Sequence, residues 1–137
     1  MSMLSTLQIS SSAMTAQMVR MNTTASNLAN MDVVGSSPEE AYKAKKPIFK
    51  TMVQTFTDNN FEASVKVSGI HITDRANTKR YDPQNPAASK AGYVYMSNVN
   101  SVEEMVDMTN ASRTYQTNVE VMNATKKMMM STLQLGK

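Results

Sequence analysis

The chain has one side chain suited to proton transfer near neutral pH, His71, with Asp74 a short step along. A lone histidine beside one carboxylate supplies neither a nucleophile nor an oriented base, so the pair reads as surface chemistry rather than catalysis. Glu39-Glu40 and Glu103-Glu104 are adjacent pairs, and adjacent residues on a helix do not face one another, so neither makes an acid–base couple. Cysteine is absent, which excludes a disulfide framework, a thiolate metal site and a catalytic thiol. Metal ligands with useful spacing are missing. All four glycines are isolated, so no loop is built to cradle a phosphate. The basic run Lys43-Ala44-Lys45-Lys46-Pro47 lacks interleaved aromatics and a helical register, so it reads as a solvated loop rather than a nucleic-acid contact. No cofactor or metal is implied, and the residue set is not that of an enzyme.

The informative residues are architectural. From Ser101 to Leu135 runs one helical stretch uninterrupted by proline. Ser101 followed by Glu104 predicts a capping box at its start, and Glu103, Glu104 and Asp107 place negative charge at the positive end of the helix dipole. Gly136 stands where the helix can stop. Along the stretch, steps of three and four connect Met105, Met108, Ser112, Tyr115, Val119, Met122, Lys126, Met129 and Leu133. This is a heptad seam sustained over about four heptads. At about 1.5 Å per residue the helix would be roughly 50 Å long, more than a compact domain of this size needs.

The beginning of the chain repeats the pattern. Leu4, Leu7, Ser11, Met14, Met18, Met21, Ala25 and Leu28 follow the same spacing. The other faces carry Ser, Thr, Asn, Gln and Ala, which are mediocre helix formers. Such an arm is held by packing rather than propensity and frays when alone. Its small polar outer faces admit other helices on several sides.

With 137 residues the chain makes one or two small domains. Methionine supplies 14 residues and tryptophan none, a composition that suits adaptable interfaces better than one rigid core. The net charge of +3 sits wholly in residues 36–98, since the segments before and after cancel internally. Two neutral arms therefore flank a mildly basic centre. A solvated helix normally carries a charged face, so the first arm is expected to be covered by other protein. No apolar run is long enough for a transmembrane helix, and the first residues do not make a cleavable secretory signal.

Between the arms the period changes. Met31-Asp32-Val33-Val34-Gly35-Ser36-Ser37-Pro38 ends the first helix in a loop. Ile48–Val53 and Val65–Ile72 read as short strands around a turn at Asp58-Asn59-Asn60. Asp74–Lys90 is polar, with Pro83 and Pro86, and reads as an extended loop. Tyr93-Val94-Tyr95 reads as one further strand, before Asn98-Val99-Asn100 leads into the last helix.

The expected fold is mainly α: long N- and C-terminal helices paired as an antiparallel coiled coil, with a small β-rich and extended middle. The divisions are an N-terminal helical arm over 1–35, a middle of β-hairpin and extended loop over 36–98, and a C-terminal helical arm over 99–137. A single pair of such arms leaves helix surface that needs partners, and subunits laying paired arms along a common axis make contacts that do not close on themselves. The assembly interface is expected on Leu4, Leu7, Met14, Met18, Met21, Ala25 and Leu28 of the first arm. On the last arm it is expected on Met105, Met108, Tyr115, Val119, Met122, Met129 and Leu133. The competing reading is a small helical adaptor or chaperone that binds one partner through its paired helices.

Ala25-Ser26-Asn27-Leu28-Ala29-Asn30, preceded by Gln17–Asn22, resembles the N-terminal signature of bacterial flagellar axial proteins. More narrowly, Tyr81-Asp82-Pro83-Gln84-Asn85-Pro86, Gly92-Tyr93-Val94, Asn98-Val99-Asn100, Glu104-Met105, Ala111–Asn118 (with Arg113 and Tyr115) and Thr132–Gly136 resemble the proximal-rod branch of that family. The likeness covers nearly the whole chain in order. Val33 departs from it, since many axial proteins carry a threonine in that loop.

The resemblance implies a structural subunit of the flagellar basal-body rod, the drive shaft that carries motor torque to hook and filament. It implies export through the flagellar type III apparatus without a cleaved signal, and a place in the periplasm-spanning rod. Its partners would be copies of itself, the other proximal-rod proteins, the distal rod protein, and the adaptor joining the rod to the export gate and membrane ring. Nucleic acid and direct membrane insertion are not implied.

Overall fold

The architecture is taken from a computed structural model, which describes residues 3–56 and 60–135. Two helices bracket the chain: α1 (Met3–Ala29) and α2 (Ser101–Leu135). Met3 shares one surface hollow with Ala124, Met128 and Thr132, while Arg20 and Thr24 share another with Glu104 and Asp107. The helices therefore pack together running in opposite directions.

What they bury is small and polar. On α1 the buried residues are Ser5, Ser10, Ala16, Thr23, Thr24 and Asn27. On α2 they are Glu104, Ala111 and Thr125, at heptad-related positions, with Met108, Tyr115, Met122 and Met129 half-buried alongside them. Small side chains let two backbones approach closely. The hydroxyls that this packing takes from water bond back to their own helix: Thr23 Oγ1 donates to the Val19 carbonyl and Thr125 Oγ1 to that of Val121, both at 2.8 Å.

The start of α2 is capped one residue earlier than the sequence pattern suggests. Asn100, rather than Ser101, holds the cap: its Oδ1 accepts from the N–H groups of Val102 (3.1 Å) and Glu103 (3.4 Å). Glu104, the expected reciprocal member of a capping box, is instead buried against the rest of the chain. The helix stop expected at Gly136 lies outside the described residues.

The middle forms two antiparallel sheets. A three-stranded sheet has the order β1–β5–β4, from β1 (Val34–Gly35), β4 (Lys79–Tyr81) and β5 (Tyr93–Met96). Its centre is Val94, fully buried opposite Arg80. Strand β4 falls inside the stretch that the prolines marked as loop, and β1 inside the stretch marked as a helix end. Both are so short that neither leaves a periodic signal.

The second sheet is a long hairpin, β2 (Lys45–Phe56) with β3 (Asn60–Ile72), bulged between Ile48 and Phe49. It extends beyond both predicted strands. Of the turn predicted at Asp58-Asn59-Asn60, the first two residues lie outside the described residues. The hairpin runs along α1: Arg20 lies 4.7 Å from the Phe49 ring centroid, and Ser12 Oγ accepts from the Val65 N–H at 3.1 Å. Helix α1 thus has α2 on one side and the hairpin on another. Among the described residues no helix is long and apolar enough to cross a membrane.

Candidate assembly interface

The middle segment is fixed to the helices by asparagines that bond to backbone. Asn27, fully buried on the last turns of α1, has its amide engaged on both sides. Its Nδ2 donates to the Lys45 carbonyl at 2.8 Å, while its Oδ1 accepts from the Lys45 N–H and the Tyr42 hydroxyl, both at 3.0 Å. Asn98 repeats the device ahead of α2. Its Oδ1 accepts from the Ala44 N–H at 2.7 Å, and its Nδ2 donates to the carbonyls of Arg75 (2.6 Å) and Thr73 (3.4 Å). Asn77 Nδ2 joins the carbonyls of Tyr42 and Met96. A side-chain amide matches the donor–acceptor pair of a peptide unit, which is why asparagine can terminate a strand against a helix without leaving backbone groups unpaired.

An ionic contact supports the same junction. Lys46 at the start of β2 pairs with Glu103 on the first turn of α2, and Arg75 Nη1 lies 3.6 Å from the same carboxylate. The Lys46 hydrogen bond and its charge hold the Glu103 carboxyl below its ordinary range, and the Glu103 hydrogen bond holds the Lys46 ammonium above its own. Beside this junction a hollow of about 230 Å³ is lined by Lys46, His71, Thr73 and Glu104. His71 itself is exposed on β3. Among the described residues no group of three His, Cys, Asp or Glu side chains is placed to hold a metal.

The signature residues fall into two groups. Ser26, Asn27 and Asn30 gather at the end of α1. Ser26 Oγ lies 3.4 Å from the Tyr42 hydroxyl, and Asn30 Nδ2 donates to the Ser26 carbonyl at 2.7 Å. Ala25 and Ala29 are exposed and Leu28 is half-buried. The second group builds the turn between β4 and β5. Tyr81 and Tyr93 meet edge to face at 5.1 Å, and Gly92 sits beneath them with φ of +75°. Pro83 and Pro86 shape the exposed loop, Val94 fills the core and Asn98 holds the junction. On α2, Arg113 is exposed, Tyr115 is half-buried, and Asn118 Nδ2 donates to the Thr114 carbonyl.

The two predicted stripes divide by heptad. On α1, Leu7, Met14, Met21 and Leu28 are half-buried while Leu4, Ser11, Met18 and Ala25 are exposed. On α2, Met108, Tyr115, Val119, Met122 and Met129 are half-buried, and Met105 and Leu133 are exposed. Exposure reaches 65% at Leu4 and 69% at Leu133. Val102, Val106, Met128 and Met130 of α2 are exposed as well. So much uncovered apolar surface on two parallel-sided helices is unusual for a chain that works alone.

Residues 7–35 match a family profile described as "Flagella basal body rod protein", and residues 90–135 match one described as "Flagellar basal body rod FlgEFG protein C-terminal". Curated relatives named flagellar basal-body rod protein FlgC align end to end. The one from Escherichia coli is 42% identical over 99% of both chains, and that of Salmonella typhimurium is 40% identical over the same share. The Bacillus subtilis protein is 38% identical over 96% of each chain.

Proposed function

The chain belongs to the FlgC family of flagellar basal-body rod proteins, and from that premise we propose that α1 and α2 are the surfaces through which it polymerises. It is a structural subunit of the bacterial flagellar basal body, not an enzyme. The observation that carries the reading is the apolar surface left open along both helices, from Leu4 and Met18 on one to Met105 and Leu133 on the other. Neighbouring copies and other rod subunits cover these positions. The half-buried residues Leu7, Met14, Met21, Leu28, Met108, Tyr115, Val119, Met122 and Met129 form the flanks of the same contacts, and Ala25 admits a close neighbour.

Within the subunit, α1 of the arm over 1–35 and α2 of the arm over 99–137 act as an antiparallel coiled coil. Many such pairs laid along one axis resist twist, because sliding one helix past another misplaces every interlocked side chain together. This is how the rod would transmit torque to hook and filament. The segment over 36–98 sets the outer contacts. Neighbours are the other proximal-rod proteins, the distal rod protein, and the adaptor joining the rod to the export gate and membrane ring. The subunit reaches the periplasm-spanning rod through the flagellar type III export apparatus.

The test replaces Leu4→Asp and, separately, Leu133→Asp in cells lacking the native chain. Both side chains are mostly in water, so the lone subunit keeps its stability. The expected result is a secreted, folded chain absent from purified basal bodies, with loss of swimming. Normal incorporation of both variants would contradict the reading.

A further inference from the structure

We propose that the outward face of the β2–β3 hairpin is the docking surface for the acidic loop following α1 of a second copy of this chain. The inference deepens the reading above and rests on it, since it names one contact of the polymer.

Lys50 and Lys66 stand directly opposite each other in the hairpin register, and both are exposed. Like charges in directly opposed positions repel, so this arrangement costs the lone chain stability. Among the described residues no carboxylate lies within ion-pair distance of either. Exposed apolar side chains flank the pair along β2: Ile48 on one side and Met52 on the other. Next to it Gly69, which pairs with Ile48, presents no side chain and has open space above it. The surface is therefore a doubly positive centre with apolar shoulders and room for an incoming segment.

The same chain carries the complement. Asp32, Glu39 and Glu40 are exposed in the loop after α1, and Val33 beside them is 46% exposed. Elsewhere the carboxylates are paired, buried or scattered: Glu103 is held by Lys46, Asp82 by Arg80, and Glu104 is buried. These three exposed carboxylates and Val33 belong to the one loop that follows α1, where Ser36 donates to Glu40 and Lys43 is the cation acting on Glu39. The lysine pair lies near the level of Ser12 and Arg20, further back along the same helix. At about 1.5 Å per residue the separation is roughly 20 Å, beyond the reach of direct pairing within one copy. The patches can meet only between copies displaced along the helix axis, and such a head-to-tail contact propagates instead of closing. Charge complementarity of this kind also fixes the register between subunits.

The test is a charge exchange. One variant carries Lys50→Glu with Lys66→Glu, which keeps a like-charged pair in the hairpin and so leaves its folding cost in place. A second carries Asp32→Lys with Glu39→Lys, and a third combines all four. Each of the first two is expected to lose rod incorporation and swimming, and the third to regain both. In basal bodies from cells with the unaltered chain, a zero-length carbodiimide should join Lys50 or Lys66 to Asp32, Glu39 or Glu40 of another copy. Normal swimming of either separate variant would overturn the contact. So would a folded combined variant no better than its parents, or other lysine–carboxylate cross-links without these. Failure of the polymer reading itself looks different: the Leu4→Asp chain would be built into basal bodies as well as the unaltered one.

Discussion

Asn27 and Lys45 are joined by both hydrogen bonds that a side-chain amide and a peptide unit can exchange, Nδ2 donating to the Lys45 carbonyl and Oδ1 accepting from its N–H. The same oxygen takes the Tyr42 hydroxyl. With Asn27 fully buried, no water can substitute for it. Asn27→Ala takes the side-chain partner from the Lys45 N–H and carbonyl, and each such group costs about 1–3 kcal/mol when left unpaired and buried. A total loss of about 2–4 kcal/mol is expected after partial relaxation, read as a lower midpoint in urea unfolding followed by circular dichroism. Asn27→Asp sets a carboxylate oxygen against the Lys45 carbonyl in a fully buried site, so it should cost at least as much as alanine at neutral pH.

The Lys46–Glu103 pair predicts a pH dependence on both limbs. The Glu103 carboxyl is held below its ordinary value of 4.5, so its contribution is present above that value and fades as the pH falls through the folded one. The Lys46 ammonium is held above its ordinary 10.5, so its contribution is present below 10.5 and fades as the pH rises further. Both side chains are more than a third exposed, which limits the effect to less than about 1 kcal/mol and makes it sensitive to salt. Glu103→Gln should flatten the acid limb of a plot of melting temperature against pH. An unchanged acid limb would remove the pair as its source.

Gly35 and Gly92 are expected to resist substitution where Gly69 does not. A Cβ at Gly35 would stand 2.6 Å from the Ala41 backbone nitrogen. One at Gly92 would meet the Tyr81 ring at 2.9 Å on a backbone already at positive φ. At Gly69 there is nothing within 4 Å. Alanine at Gly35 or Gly92 should cost roughly 1–3 kcal/mol, while Gly69→Ala should stay within about 0.5 kcal/mol. Thermal melts of the three variants check the order.

At the helix pair, Ala111 is fully buried. Ala111→Met asks for volume where two backbones are close, and overpacking of this kind costs about 1–3 kcal/mol. Val106→Met, on the open side of the same helix, should leave the lone chain unaffected. Parallel urea titrations distinguish the two.

Much of this was legible in residue order. Long proline-free stretches at each end announced both helices, and alternation at Val65/Val67 and Ile70/Ile72 announced the hairpin. The inner face of the helix pair was harder to read, because Glu104, Ala111 and Thr125 are not residues that hydrophobic periodicity selects. In α2 the buried positions lie one residue before Met105, Ser112 and Lys126 of the apolar stripe. The helix buries its small side and leaves large apolar side chains at its edges. The cap at Asn100 was hidden by a better-looking serine next to it. The roles of Asn27 and Asn98 could not be read from pattern at all, since their partners are backbone atoms 18 and 54 positions away in sequence. The aromatic–glycine turn at Tyr81, Gly92 and Tyr93 was marked only by its resemblance to a family.

The central claim, that open helix faces are closed by assembly, is tested most directly by hydroxyl-radical footprinting of methionines. In the lone chain Met18 is 48% and Met105 57% exposed, and both should oxidise readily. In purified basal bodies both are expected to be protected. Equal oxidation of Met18 and Met105 in the free and the assembled subunit would contradict the account.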